Sequence, residues 1–163
     1  PTTALPVKIL TSSFTNPIGI TNPCSRSPKM IQTIADTSGL YALVDRKDPH
    51  HQKAAEFLKA HAAAGSLLVS NHVFDESMTL VKARLGMQVA LQLGIRLRNS
   101  RFIEMVVFTA AEEQETWRIF SHYTDKAWSF TDCACLALAQ QRNTQHAFSF
   151  DHHFTQMGLV RVP

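Results

Sequence analysis

The stretch Met30-Ile31-Gln32-Thr33-Ile34-Ala35-Asp36-Thr37-Ser38-Gly39-Leu40-Tyr41-Ala42-Leu43-Val44 decides the fold. Met30–Ala35 is short, apolar and partly β-branched, which suits a buried strand. Asp36-Thr37-Ser38 follows at once, and Asp is a good helix N-cap. The residues up to about Val44 then read as a helix. A strand that passes into a helix through a carboxylate is one unit of an open α/β sheet. In such sheets ligands bind at the C-terminal ends of the strands.

Working outward, the alternation continues. Pro49 opens a second helix with Ala54, Ala55, Phe57 and Leu58 as its apolar stripe, and Gly65 is expected to end it. Leu67–Val69 reads as the next strand. Helices follow at about His72–Leu85, stopped by Gly86, and about Gln88–Arg98. Phe102–Phe108 reads as a strand, Ala110–His122 and Thr131–Arg142 as helices, and Ala147–Phe150 as a strand. A helical turn at His152–Met157 and an edge strand at Leu159–Val162 complete the chain. Strands alternating with helices predict a three-layer α/β/α fold around a mainly parallel sheet. No glycine-rich phosphate loop and no internal repeat is present.

Residues 1–29 differ. They hold five of the seven prolines, many Ser, Thr and Asn, and no periodicity. They read as an extended or disordered tail, with residues 30–163 as the single folded domain. The 163 residues and 45% hydrophobic content fit one ordinary domain. No apolar run approaches the roughly 20 residues of a membrane span, so a soluble protein is expected. The net charge of +3 comes from Lys8, Arg26 and Lys29, since the first 29 residues contain no Asp or Glu. The domain itself is formally neutral, which excludes a global basic footprint for nucleic acid. A local one remains. Ser77–Ile103 contains no acid but carries Lys82, Arg84, Arg96, Arg98 and Arg101. These are either the solvated face of a helical pair or phosphate contacts. Three cysteines, Cys24, Cys133 and Cys135, fit neither a disulfide framework nor a zinc ribbon. Cys133 and Cys135 fall in an apolar helix, and a reducing cytoplasm is the expected compartment.

Four carboxylates stand where chemistry is expected. Asp36, Asp132 and Asp151 each follow an apolar run and precede or open a helix. Glu76 lies on the inner edge of its helix beside Val73 and Leu80, whereas Asp75 points toward solvent. Asp132 opens a helix on its apolar side, with Cys135, Leu136 and Ala139 following on that face; Thr131 is free to cap. Competing accounts are N-capping for Asp36 and Asp151, and pairing with Lys or Arg for Glu76 and Asp132. Gathered at strand ends, such acids repel unless a cation is present, and oxygen donors suit Mg²⁺ or Mn²⁺.

Ile34–Leu43, His72-Val73-Phe74-Asp75-Glu76, Ser129-Phe130-Thr131-Asp132-Cys133 and Phe148-Ser149-Phe150-Asp151-His152-His153-Phe154 resemble, in order and spacing, the acidic motifs of PIN-domain proteins. The resemblance runs from Met30 to the C-terminus and is greatest to small VapC-type toxins. It implies a metal-dependent endoribonuclease with Asp36, Glu76, Asp132 and Asp151 as catalytic metal ligands. Mg²⁺ or Mn²⁺ is the implied cofactor, and Thr131 stands behind the ligands. It also implies an RNA substrate, a homodimer and an inhibitory antitoxin partner. Arg84, Arg96, Arg98 and Arg101 are the candidate RNA contacts. Asp48 and His51 resemble a further family feature at the second helix.

Three other readings compete with this one. Asp151-His152-His153 resembles the motif of DHH phosphoesterases, which are much longer chains, so these histidines are expected to be surface or partly buried residues of a turn. No clean zinc set is read from the spacings. A receiver-like module would need paired acids after the first strand. A catalytically inert RNA- or protein-binding module of the same fold is the alternative from another class; an inert member should lack at least one acid.

Overall fold

Short runs of Ile, Leu, Val and Ala pair side by side because both faces of each strand can be buried under helices. The computed structural model describes residues 31–62 and 65–163. The expected tail at 1–29, with Cys24, lies outside the described residues. Five strands form one parallel sheet: β1 (Ile31–Ala35), β2 (Gly65–Ser70), β3 (Ile103–Val106), β4 (His146–Phe148) and β5 (Val160–Val162), in the order β3-β2-β1-β4-β5. Helices α1 (Thr37–Val44) and α2 (His51–His61) join β1 to β2. Helices α3 (Asn71–Leu85) and α4 (Met87–Asn99) join β2 to β3, and α5 (Ala110–His122) and α6 (Phe130–Arg142) join β3 to β4. The short α7 (His153–Gln156) precedes β5. This is the three-layer α/β/α arrangement expected from the pattern.

The chain lays β1, β2 and β3 outward in one direction, then returns to the other side of β1 with β4 and β5. Strand order therefore reverses between β1 and β4. The crevice at that switch point is where an open sheet offers room for a ligand. Asp36 directly follows β1, and Asp151 follows β4 after two residues.

Ile34, Leu67, Leu68, Val69 and Phe148 are fully buried at the centre of the sheet, each worth roughly 1.5–3 kcal/mol of apolar transfer. Gly39 lets α1 lie on β4: a Cβ there would sit 2.5 Å from the Phe148 carbonyl oxygen and 2.8 Å from its ring. Gly86, at φ 92°, ends α3 and starts α4 as expected, in a conformation other residues rarely adopt.

Several boundaries differ from the sequence reading. Gly65 does not end α2; it is buried at the start of β2, where a Cβ would meet the Ile31 carbonyl oxygen at 2.5 Å. Ala55 is exposed, and α2 instead turns Ala54, Phe57 and Leu58 inward. β3 stops at Val106 and β4 at Phe148, so the apolar residues Val107, Phe108 and Phe150 lie beyond the ladder. Asp132 does not follow a strand: α6 follows α5 through the irregular segment 123–129. His51 Nδ1 lies 2.8 Å from the Ala42 carbonyl oxygen and ties α2 to α1.

Candidate active site

Each predicted acid has one of its oxygens engaged by hydrogen bonds, some local and some from distant segments. Asp36 caps α1. Its Oδ2 accepts from the Ser38 N–H at 3.2 Å, the Ser38 hydroxyl at 2.5 Å and the Ser149 hydroxyl at 2.8 Å. The same two hydroxyls accept from the Phe150 and Asp151 N–H groups, both at 3.0 Å. Asp36 is thereby fastened across the switch point to the segment after β4. It is 4% exposed. Burial raises its pKa to about 6 despite the Ser38 and Ser149 bonds, and the nearby Asp132 charge adds to the rise.

Glu76 is half-buried, whereas Asp75 is exposed, in agreement with the helical phase. Its Oε2 accepts from the Thr37 hydroxyl at 2.5 Å, which joins α3 to the start of α1. Asp132 is buried at the third position of α6. Ser129 caps this helix, contrary to the role expected of Thr131. The Asp132 N–H donates to Ser129 Oγ at 3.0 Å, and the Ser129 N–H donates to Asp132 Oδ2 at 2.7 Å. This capping box gives Asp132 a local structural role beside any chemical one. Thr131 is half-buried beside Asp132, but among the described residues the hydroxyls that donate to the four carboxylates are those of Thr37, Ser38 and Ser149. Asp151 is half-buried, and its Oδ1 accepts from the His153 N–H at 2.9 Å.

Two features make the group chemically notable. Among the described residues, the second oxygen of each acid (Asp36 Oδ1, Glu76 Oε1, Asp132 Oδ1, Asp151 Oδ2) accepts no hydrogen bond. None of the four pairs with a Lys or Arg, since the Lys and Arg ion pairs among the described residues involve Glu115, Asp125 and Glu104. Asp36, Asp132 and Glu76 all act on the buried Cys135 thiol, which burial and then these three charges push well above its ordinary range. Burial, with Asp132 beside it, raises the Cys133 pKa to about 11. Buried acids without a cationic partner are costly, and a set of free carboxylate oxygens fits a hard divalent cation.

His153 links the fourth acid to the third. Its Nδ1 lies 3.6 Å from Asp132 Oδ2 and 3.5 Å from Asp151 Oδ1. Among the described residues, Asp151, His152 and His153 are the one group of three or more such side chains whose ligand atoms all lie within 4.8 Å of one another. Asp36, Glu76 and Asp132 are not drawn so close. His152 and His153, expected as surface or partly buried residues of a turn, are exposed and half-buried respectively; the contact of His153 with Asp132 carries no signal in sequence spacing.

The candidate basic residues are all exposed, and Arg96 and Arg98 line different grooves. Arg98 lies over the Phe74 ring at 5.9 Å and lines a groove between α3 and α4 with Lys82. Arg96 lines cavities against α1 and α2. Arg84 acts on Tyr41, and Arg101 lies in the turn before β3. No helix among the described residues is long and apolar enough to cross a membrane.

Comparison with known proteins agrees with this geometry. The PIN domain model matches residues 33–159. The 23S rRNA-specific endonuclease VapC20 of Mycobacterium tuberculosis is 28% identical over 127 residues, covering 78% of this chain and 95% of that protein. Ribonuclease VapC26 of the same organism is 31% identical over 128 residues, covering 78% and 93%. The crystal structure of M. tuberculosis VapC20, described as a sarcin-ricin loop cleaving toxin, superposes with a TM-score of 0.73 at 26% identity, covering 78% of this chain and 96% of that one. VapBC2 from Rickettsia felis, bound to promoter DNA, shares the fold with a TM-score of 0.62 at 14% identity, over 80% and 97% of the two chains. The chain belongs to the PIN-domain family, with VapC-type ribonucleases among its relatives.

Proposed function

We propose that this chain is a metal-dependent endoribonuclease in which Asp36, Glu76, Asp132 and Asp151 hold one or two Mg²⁺ or Mn²⁺ ions. The observation that carries the reading is the set of four acids around the switch point, which among the described residues each have an oxygen free of donors and no Lys or Arg partner. Asp36, Glu76, Asp132 and Asp151 would hold the ion, which when bound would supply an acidified water and charge neutralisation for the attacked phosphate. The chain's own contribution is positioning. Ser38 and Ser149 fix Asp36, Thr37 fixes Glu76, and the Ser129 N–H fixes Asp132. A cysteine nucleophile is disfavoured, because both described thiols are held in the protonated form at neutral pH.

The relatives supply the biological setting. VapC20 is named for 23S rRNA cleavage, so a hairpin from that rRNA is the first defined substrate to offer. A toxin role with an antitoxin partner, and a homodimeric state, belong to the same reading. Arg84, Arg96, Arg98 and Arg101 are proposed to add phosphate contacts; charge-neutral variants that bind RNA with an unchanged salt slope would remove them.

Cleavage of a mixed RNA pool tests the function, with Mg²⁺, Mn²⁺ or EDTA, wild type beside Glu76→Gln. Cleavage that needs the metal and is lost in the variant supports the reading. Cleavage that survives EDTA contradicts it. Toxicity on expression that is relieved by Glu76→Gln supports the toxin role, and harmless expression of an active enzyme counts against it.

A further inference from the structure

We propose that His153 Nδ1 is a ligand of the metal at this site, and that this nitrogen makes the site favour Mn²⁺ over Mg²⁺. The inference rests on the metal-dependent reading above and assigns a residue that four acids alone would not need.

The ring is fixed at the start of α7. Its backbone N–H donates to Asp151 Oδ1 at 2.9 Å, and its carbonyl accepts from the Met157 N–H at 3.0 Å. The side chain is 17% exposed. Nδ1 itself is buried and makes no hydrogen bond. It stands between two carboxylate oxygens, 3.6 Å from Asp132 Oδ2 and 3.5 Å from Asp151 Oδ1. Both distances exceed those of an ordinary N–H···O bond. A buried, unbonded ring nitrogen is costly, and here it faces acceptors already engaged by the Ser129 and His153 N–H groups. A cation held by Asp151 and Nδ1 would satisfy that nitrogen, with Asp132 next to Nδ1 but outside the group whose ligand atoms all lie within 4.8 Å of one another. The ligand atoms of Asp151 and His153 already lie within 4.8 Å of one another.

Nitrogen donors matter for the choice of ion. Imidazole suits transition metals, and Mg²⁺ prefers oxygen and retained water. His152 is also in the cluster, but its side chain is 71% exposed, and its Nδ1 approaches Asp151 alone, at 3.3 Å. It serves as the control.

The test uses tag-free protein loaded with Mn²⁺ and no RNA. Pulsed electron paramagnetic resonance reads ¹⁴N coupling to the bound ion in wild type, His153→Ala, His153→Gln and His152→Ala, with circular dichroism to check folding. The expected result is ¹⁴N modulation in wild type and His152→Ala, lost in both His153 variants. Titration calorimetry should show Mn²⁺ affinity falling by ~10-fold or more in His153→Ala, the least that even a partner behind a ligand is worth. Mg²⁺ affinity should change far less. No modulation in wild type, or modulation that survives in folded His153 variants, would overturn the assignment. So would equal losses for the two ions, which would mark His153 as a positioning residue. If Mn²⁺ fails to bind wild type at all, the metal-dependent reading falls with it. If it binds without nitrogen coupling, only the His153 assignment falls.

Discussion

Replacing Asp36 by Asn removes a buried charge while keeping the shape and an acceptor oxygen for Ser38 and Ser149. In the folded chain the Asp36 pKa is raised from 3.8 to about 6. At ~1.36 kcal/mol per unit, ionised Asp36 costs the metal-free fold roughly 3 kcal/mol. The sign follows from proton uptake. Between about pH 4 and 6 the folded state holds more protons than the unfolded state, so this group's contribution to stability falls as pH rises. The loss is complete above the folded pKa. Asp36→Asn should therefore stabilise the protein in EDTA at pH 7.5, by up to ~3 kcal/mol or roughly 6–12 °C in Tm. The gain should shrink steadily as pH approaches 4. Mn²⁺ should raise the Tm of the wild type at pH 7.5 and leave the variant almost unmoved, because an ion stabilises only the state that binds it. Scanning calorimetry at several pH values, with EDTA or Mn²⁺, measures all of this. A variant that melts below wild type at pH 7.5 in EDTA would refute the reasoning. So would a difference that does not change with pH.

Two further outcomes are expected. Phe148→Ala should lose about 3–5 kcal/mol in urea unfolding, because its ring is fully buried and fills the space left by Gly39. Cys135→Ser should keep metal-dependent cleavage within a few-fold of wild type in a gel assay of RNA cleavage; loss of activity in a folded variant would reopen a role for the thiol.

Much of the architecture was legible because burial writes itself into periodicity. The strand-to-helix passage at Ala35-Asp36 marked the first unit, and the phase of α3 separated Glu76 from Asp75. Strand ends were less legible. Val107, Phe108 and Phe150 are apolar, yet the parallel ladder stops before them because Val106 and Phe148 make the last pairings. Gly65 looked like a helix stop, since sequence cannot show that another strand's carbonyl passes where its Cβ would be. At the site, the acids were visible as residue types in a pattern. Their supports were not. Ser149 reaches Asp36 across 113 positions, and Thr37 reaches Glu76 across 39. His153 stands between Asp132 and Asp151 only once α6 and α7 have come together. The basic residues between Ser77 and Ile103 form a run in sequence, but the α3–α4 hairpin sends Arg98 and Lys82 to one groove and Arg96 to others.

The central claim is that the four carboxylates act together on RNA through a bound metal. The most direct measurement is the single-turnover cleavage rate of one mapped RNA at rising Mn²⁺ concentration. Wild type would be compared with Asp36→Asn, Glu76→Gln, Asp132→Asn and Asp151→Asn, each shown to be folded. The account predicts saturable, EDTA-sensitive cleavage in wild type and a loss of roughly 100-fold or more in each variant, as for groups that work as a unit. A folded variant that cleaves at the wild-type rate with the same Mn²⁺ dependence would contradict it.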